Sequence, residues 1–321
     1  MSDSPVTIDP FVQEWIAGTN GRLYRPVVGK LKRYPIPEIP IPPSQGGLLL
    51  DIGAGWGRWM VAAAQRGYVP VGIDIKHETA LAARRVTRLH GFEGYTVVAD
   101  LGRLPFADGV FDRVFSYSVI QHTHRDRARA CIGHVHRILR NGGGCTLEFP
   151  ISEGLGHRLR RDTRPSAGED DWESWDVRLY TRAELEALFT PLFGNFTTEV
   201  DCYLGIGVQW SDVDVLPWYF WPIPAVSEAL RIASRSVGPI ARLADSVYAI
   251  STKTSGAPAD APKLTRTGSN LDVIAILRCP VSGKTLEHDR ARSELVSREA
   301  GLAYPIVDDT PNMIPEAARR L

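Results

Sequence analysis

The stretch Leu48-Leu-Leu-Asp-Ile-Gly-Ala-Gly-Trp-Gly-Arg-Trp59 decides the fold of this chain. It begins with a short, mostly apolar run, which is typical of a strand buried in a parallel sheet. The glycines at positions 53, 55 and 57 permit positive φ angles and let a ligand approach the backbone. A helix is predicted from Trp59, and its N-terminus would favour polar ligand groups. The stretch therefore predicts a strand, a ligand-binding turn and a helix.

The residues that follow continue the alternation of strand and helix. Strands are predicted at 48–52, 69–74, 95–99, 111–118 and 145–149, and helices at 59–65, 76–90 and 125–139. This alternation predicts a parallel sheet with helices on both faces. Beyond it we expect a helix at 181–189 capped by Thr181, strands at 196–203 and 246–252, and a helix at 226–243. The last two strands are expected to close one edge of the sheet.

An acidic residue follows the glycine turn at the spacing of a nucleotide site. Asp74 ends the second predicted strand, where a carboxylate can accept hydrogen bonds from both hydroxyls of a ribose. A dinucleotide fingerprint would have a glycine or alanine where Arg58 stands, and the Gly-Lys-Ser/Thr of a phosphate loop is absent. Asp51 would repel a pyrophosphate but suits a ligand that carries an ammonium and a sulfonium. The charge of Asp51 therefore favours S-adenosylmethionine over NAD.

Five motifs in order carry a resemblance to a known family. The segments at 51–57, 72–75, 99–101, 104–112 and 137–144 resemble the successive motifs of class I S-adenosylmethionine-dependent methyltransferases. The resemblance covers about residues 45 to 150. It implies an α/β fold with a doubly wound, Rossmann-like sheet of seven strands, of which the last is antiparallel. It also implies S-adenosyl-L-methionine as the cofactor.

The resemblance assigns cofactor-binding roles position by position. Asp51 and the turn from Gly53 would hold the methionine end, Asp74 the ribose, and Asp100 with the Leu101 backbone the adenine. Ser116 and Tyr117 would line the pocket near the methyl group. The full set of expected cofactor-binding residues is Asp51, Gly53, Ala54, Gly55, Gly57, Asp74, Ile75, Asp100, Leu101 and Ser116.

The expected catalytic residues are His122 and Tyr117, which follow the fourth strand. Methyl transfer depends mainly on an in-line approach of the nucleophile, and an oxygen nucleophile often needs a base as well. His122 is a candidate base because an imidazole titrates near neutral pH. The alternative is that His122 packs under the cofactor or caps the next helix. The chain lacks the Asn/Asp-Pro-Pro-Tyr motif of base N-methyltransferases here, which disfavours an adenine or glutamine amide acceptor.

Two later segments could face the acceptor. Within residues 154–180, four arginines between positions 158 and 164 precede five acidic residues and two tryptophans between positions 169 and 176. The segment would form either a lid that grips an anionic or sugar-like acceptor, or a solvated loop with internal ion pairs. The aromatic cluster from Trp210 to Trp221 is either core beneath an insert or an apolar wall for the acceptor. The sequence leaves both alternatives open.

Composition limits the class of protein. The 321 residues include 37 basic and 37 acidic side chains, and this zero net charge disfavours a nucleic-acid binder. The four cysteines form no C-x-x-C pair, which argues against a disulfide-dense secreted scaffold. No signal peptide or membrane span is visible, because the most apolar run, at 215–226, is short and interrupted by prolines. We therefore expect a cytoplasmic protein.

The chain divides into four predicted regions. Residues 1–44 form an N-terminal helix and a proline-rich arm, and residues 45–253 form the methyltransferase domain. Residues 254–269 are rich in Thr, Ser, Gly, Ala and Pro and indicate a linker. Residues 270–321 form a small β-rich domain, which is expected to dock on the main domain or on another chain because a domain of this size is only marginally stable alone.

The segments at 277–286, 294–297 and 301–314 resemble the Trm112-like family of small β-rich partners and activators of methyltransferases. Some members hold a structural zinc, but Ser282 stands where the second cysteine of that site would be. Cys279 and His288 are too few ligands for a closed tetrahedral site, so no metal is expected.

The leading functional hypothesis is methyl transfer to an oxygen or nitrogen of a small molecule or saccharide. The first alternative is methylation of a macromolecule, tRNA or protein, as suggested by the Trm112-like resemblance. The second is a non-catalytic scaffold that binds the cofactor without transferring its methyl group.

Overall fold

The central feature of the fold is a seven-stranded sheet with the order β3-β2-β1-β4-β5-β7-β6. The computed structural model describes residues 7–160, 177–205, 207–254, 266–267 and 270–321. The first five strands are parallel, whereas β7 (Ser246–Thr252) is antiparallel to both β5 (Leu139–Pro150) and β6 (Thr197–Cys202). This topology confirms the predicted doubly wound, Rossmann-like sheet with an antiparallel last strand.

The remaining strands and the helices have the following bounds. The other strands of the sheet are β1 (Leu48–Ile52), β2 (Val69–Asp74), β3 (Tyr95–Val98) and β4 (Phe111–Ser116). The later strands are β8 (Arg266–Thr267), β9 (Asn270–Leu271), β10 (Glu287–Asp289), β11 (Glu294–Ser297), β12 (Leu302–Val307), β13 (Thr310–Pro311) and β14 (Arg319–Arg320). The helices are α1 (Pro10–Asn20), α2 (Arg58–Gln65), α3 (His77–Leu89), α4 (Arg125–Ile138), α5 (Leu155–Arg160), α6 (Arg182–Phe193), α7 (Pro222–Ser234), α8 (Gly238–Ala241) and α9 (Val273–Ile276).

Burial explains why the central strands form where they do. All five residues of β1 are buried, because helices and the N-terminal segment cover both faces of the sheet. Helix α6 begins at the predicted cap: the Thr181 hydroxyl accepts the Glu184 N–H (3.1 Å), and the Glu184 carboxylate accepts the Thr181 N–H (2.7 Å). This capping box satisfies two backbone donors that the first turn of a helix leaves without partners.

Several predicted boundaries differ from the structure, among them the end of α6, which is at Phe193 and not at 189. β5 begins at Leu139, not at Cys145, because the glycine-rich segment after α4 enters the ladder, with an irregularity in its pairing with β4. β4 ends at Ser116, and Ser118 has a positive φ of 58°. The single helix predicted at 226–243 is two helices, α7 and α8, separated before Gly238-Pro239.

The N-terminal segment covers one face of the sheet. In the proline-rich arm, Ile39 and Ile41 are buried against Trp59 and Phe115. Helix α1 contributes buried residues to a second cluster, together with Trp56 from the glycine turn. The arm is therefore part of the packed structure, and α1 lies against the same turn that the sequence marks as a ligand site.

Residues 271–321 pack against the β3 edge of the large sheet. Val98 pairs with Asn312 in a parallel bridge, and the Met313 N–H donates to the Val98 carbonyl (2.7 Å). Phe106 forms a second bridge, with Leu277, and residues of both parts share one buried hydrophobic cluster. The predicted docking on the main domain is therefore observed within this chain.

The predicted linker falls mostly outside the described residues. Within 254–269 the structure describes Thr254 and the short strand β8, which pairs with β9 in an antiparallel hairpin. In the described part of the chain no helix is long and apolar enough to cross a membrane.

Candidate functional site

The glycine turn after β1 adopts a backbone that other residues rarely adopt. Gly53, Gly55 and Gly57 have φ angles of 73°, 53° and 90°. A Cβ on Gly53 would lie 2.2 Å from Cγ2 of Val119, and one on Gly57 would lie 2.8 Å from the Ala83 backbone, so both glycines are required by packing. A Cβ on Gly55 would meet nothing within 4 Å. The turn is therefore closed by Gly53 and Gly57 and open beside Gly55.

Asp51 lies behind this turn with both carboxylate oxygens unsatisfied. Its side chain is fully buried, and neither oxygen has a hydrogen-bond partner among the described residues. Burial, and secondarily the charge of Asp74, raises the pKa of Asp51 to about 8. A buried carboxyl group without a donor is costly to keep, so its chemistry fits a cationic ligand group such as an ammonium.

Asp74 connects the turn to the end of β2. Its two carboxylate oxygens accept the N–H groups of Gly55 and Lys76, each at 3.1 Å. Ile75 beside it is half exposed, so its apolar side chain is available for contact with a ligand. Ala54 donates its N–H to the Ile73 carbonyl at 2.8 Å, so this residue helps hold the turn against β2.

Asp100 and Leu101 follow β3. The Asp100 carboxylate accepts the Gly102 N–H (2.9 Å) and forms an ion pair with Arg127 (3.0 Å). Leu101 packs against the main hydrophobic cluster. The Asp100 side chain therefore already has two partners within the chain.

Ser116 and Tyr117 are held in the structure by hydrogen bonds. The buried Ser116 hydroxyl donates to the Ile52 carbonyl (3.0 Å), which ties β4 to β1. The Tyr117 hydroxyl donates to the Asp201 carboxylate (3.1 Å), and the Tyr117 ring lies against Trp59. Burial and the charge of Asp201 raise the pKa of Tyr117 well above its usual range, so this phenol keeps its proton at neutral pH.

His122 ends the 3-10 turn Ile120–His122, just beyond the carboxyl end of β4. It is half-buried, and its backbone N–H donates to the Val119 carbonyl (3.0 Å). Because Val119 also packs against Gly53, the same short segment positions His122 and closes the glycine turn.

Two buried carboxyl groups that sequence reasoning missed lie near Tyr117. Glu148 accepts the Ser118 N–H (2.9 Å), and Asp201 accepts hydrogen bonds from Ser246 (2.6 Å) and Tyr117. Burial, and next the proximity of Asp201, raises the pKa of Glu148 to about 8, and burial also raises that of Asp201. The available signal was a glutamate within an otherwise apolar strand.

A buried ion pair joins the turn to two distant segments. Arg58, the first residue of α2, donates to Asp212 at 2.7 Å, and Tyr24 donates its hydroxyl to the same carboxylate. The Trp56 indole donates to the Asn20 side chain (2.9 Å). The N-terminal segment and the insert between β6 and β7 are therefore fastened directly to the glycine turn.

Of the two segments predicted to face the acceptor, the structure describes only the aromatic cluster from Trp210 to Trp221 in full. Most of the proposed lid, residues 161–176, lies outside the described residues. The aromatic cluster is not core, because four of its members are exposed: Trp210, Trp218, Tyr219 and Trp221.

Each of the two parts of the chain matches a known protein family. Residues 49–143 match the family model described as a methyltransferase domain, and residues 270–309 match the model of Trm112p-like proteins. A UPF0434 protein from Methylobacterium is 48% identical over 63 residues, which are 20% of this chain and 96% of that protein. The human mitochondrial protein preY is 49% identical over 47 residues, or 15% of this chain and 41% of preY.

Two solved structures match about two thirds of this chain at low sequence identity. A complex between the Trm112 methyltransferase activator of Haloferax volcanii and a methyltransferase matches 67% of this chain and 86% of the solved chain, with 17% identity and a TM-score of 0.44. The YcgJ protein of Bacillus matches 67% of this chain and 94% of its own, with 18% identity and a TM-score of 0.43.

Proposed function

We propose that this chain, in which residues 49–143 match a methyltransferase domain and residues 270–309 match Trm112p-like proteins, transfers a methyl group from S-adenosylmethionine to an oxygen or nitrogen of a small molecule or saccharide. The observation that carries the proposal is the unsatisfied, buried carboxyl group of Asp51 behind a turn that is open at Gly55. An ammonium is the donor that this carboxyl group lacks.

Each group of cofactor-binding residues would contact a different part of the ligand. Asp51 and the turn formed by Gly53, Ala54, Gly55 and Gly57 would bind the methionine end. Asp74 would bind the ribose, with its carboxylate already positioned by the Gly55 and Lys76 N–H groups. Ile75 would contact the adenine, and Asp100 and Leu101 would bind its edge. When bound, the cofactor supplies an electrophilic methyl group.

The acceptor would bind beyond the carboxyl ends of β4 and β5. We assign His122 as the base that takes a proton from a hydroxyl acceptor, and Tyr117 and Ser116 as residues that shape the wall of the pocket. Tyr117 would act as a neutral phenol, since its hydroxyl keeps its proton and donates a hydrogen bond to Asp201. Glu148 is a second group that could hold the proton, because its raised pKa keeps it near the protonation equilibrium at neutral pH.

Calorimetry with S-adenosylmethionine tests the cofactor site. We expect the wild type to bind and Asp74→Ala to bind at least about tenfold more weakly, since hydrogen bonds to a charged group contribute about 1.5–3 kcal/mol. Asp126→Ala, an exposed carboxylate in the first turn of α4, is the matched control and should bind like the wild type. If the wild type does not bind, the proposed function is wrong. If Asp74→Ala binds as tightly as the wild type, the ribose assignment is wrong.

A screen with methyl-labelled cofactor tests the acceptor. Saccharide, small-phenol and RNA pools are compared, and transfer to a saccharide or small molecule is the expected result. Transfer only to RNA would establish the macromolecular alternative, and binding without any transfer would favour a scaffold. On the identified acceptor, His122→Gln should lose turnover and keep cofactor affinity, whereas full turnover would exclude His122 as the base.

A further inference from the structure

The side chain of Asp51 lies in apolar surroundings. In the register of the sheet, Asp51 is paired with Gly72 on β2 and with Phe115 on β4. Side chains alternate between the faces of a sheet, so paired residues share a face. A Cβ on Gly72 would lie 2.5 Å from the Met60 sulfur and 2.8 Å from the Ala54 Cβ, so these two apolar side chains cover that position. None of the four neighbours has a side chain that can donate a hydrogen bond.

The backbone donors of the glycine turn are engaged elsewhere. The N–H groups of Gly53 and Ala54 both donate to the Ile73 carbonyl, each at 2.8 Å. The Gly55 N–H donates to the Asp74 carboxylate at 3.1 Å. The turn is therefore fastened to β2 by the same groups that could otherwise reach back to the buried carboxyl group. Both oxygens of that group stay without a hydrogen-bond partner among the described residues.

The charges around Asp51 do not favour its ionisation. Asp74 at the end of β2 is negative, and it is the charge that acts on Asp51 within the described part of the chain. Arg58 on α2 is bound in its ion pair with Asp212, and Tyr117 beyond β4 is a neutral phenol. Burial, and next the charge of Asp74, raises the pKa of Asp51 to about 8. In the free protein the carboxyl group therefore keeps its proton at neutral pH.

We propose that Asp51 gives up this proton when S-adenosylmethionine binds, so that each bound cofactor releases about one proton to solvent. This inference rests on the proposed function, because S-adenosylmethionine is the ligand that would bring an ammonium group to Asp51. An ammonium has three N–H donors and a positive charge, which are the partners that the ionised carboxylate lacks. The O–H bond of the carboxyl group breaks, its proton passes to solvent, and the electron pair stays on the oxygen that faces the ammonium.

Calorimetry of the full chain with S-adenosylmethionine in two buffers measures the released proton. Phosphate and Tris have different ionisation enthalpies, so the difference between the two binding enthalpies at neutral pH gives the number of protons that the buffer takes up. We expect about one proton per cofactor. The affinity should also rise about tenfold from pH 6 to pH 7, because one proton must leave for the cofactor to bind.

Asp51→Asn separates Asp51 from other groups that could release a proton. An asparagine resembles the protonated carboxyl group in shape but cannot ionise, so this variant should bind the cofactor more weakly and release no proton. Its affinity should not change from pH 6 to pH 7. Asp126→Asn removes an exposed carboxylate from the first turn of α4 and is the matched control, which should release a proton as the wild type does.

The outcomes distinguish this inference from the proposed function. A wild type that binds the cofactor with equal enthalpies in the two buffers would overturn the inference and leave the proposed function intact. Proton release that persists in Asp51→Asn would assign the proton to another group and overturn it as well. A wild type that binds no cofactor would remove the proposed function and this inference together. The wild-type measurements decide the question even if Asp51→Asn does not fold.

Discussion

The buried pair of Arg58 and Asp212 should hold the N-terminal segment and the insert against the glycine turn. Their side chains are 7% and 0% exposed, and the Asp212 carboxylate also accepts the Tyr24 hydroxyl. Arg58→Met keeps most of the aliphatic volume but removes the positive charge. Asp212 would then be a buried carboxylate with only hydroxyl donors.

The expected cost of Arg58→Met is about 3–5 kcal/mol, the usual result when one partner of a buried ion pair is removed. This is a large part of the total stability of a typical folded domain, about 5–15 kcal/mol. The double variant Arg58→Met/Asp212→Asn removes both charges and leaves an amide oxygen to accept the Tyr24 hydroxyl. It should recover most of the loss, because a buried ion pair often contributes little beyond a neutral replacement.

Urea unfolding followed by tryptophan fluorescence measures these differences, since Trp56 and Trp59 flank Arg58. The matched control is Arg33→Met, which breaks the exposed pair of Arg33 and Asp214 in the same region. That change should cost less than about 1 kcal/mol. The reasoning is refuted if Arg58→Met costs no more than the control, or if the double variant is no more stable than the single one.

Three further predictions follow from contacts described above. Gly53→Ala should unfold the turn and abolish cofactor binding, because the Cβ of the new alanine would lie 2.2 Å from Val119. Gly91 has a similar positive φ but no atom within 4 Å of the position of a Cβ, so calorimetry should show normal binding for Gly91→Ala. Folding raises the pKa of Glu148 from 4.5 to about 8, so the folded state binds its proton more tightly than the unfolded state does. The contribution of this group to the free energy of unfolding is therefore complete below about pH 4.5 and is lost as the pH rises to 8. Glu148→Gln should flatten the pH dependence of urea unfolding between about pH 5 and 8. Met313→Pro removes the N–H that donates to β3, and limited proteolysis should then release the Trm112-like part faster than from the wild type.

Local patterns in the sequence predicted the first half of the sheet. The bounds of β1 and β2 agree with the prediction to the residue. For β1 the reason is that a mostly apolar run between glycines has few alternatives in a parallel sheet. The predicted start of β5 was wrong because its local pattern is misleading. Asn141 and the glycines after it have the composition of a turn, but pairing with β4 and β7, which are distant in sequence, draws this segment into the ladder.

Within the candidate site, only the residues proposed to bind the cofactor form a pattern that is visible in the sequence. Asp51 and Asp74 belong to a compact motif whose spacing can be recognised along the chain. Glu148 and Asp201 meet because of the strand order and an irregularity in β6 between Val200 and Cys202, which no local pattern specifies. Arg58 and Asp212 are likewise 154 residues apart in the chain.

The bridge between Val98 and Asn312 joins two parts of one polypeptide, and this has a consequence for stoichiometry. Each methyltransferase domain is synthesised together with its own Trm112-like part, so the ratio of the two is fixed at one to one. A covalent connection of this kind gives an effective local concentration on the order of millimolar. A separate Trm112-like protein would have to approach that concentration to take its place. The β3 edge is thus occupied by the Trm112-like part that the chain itself carries.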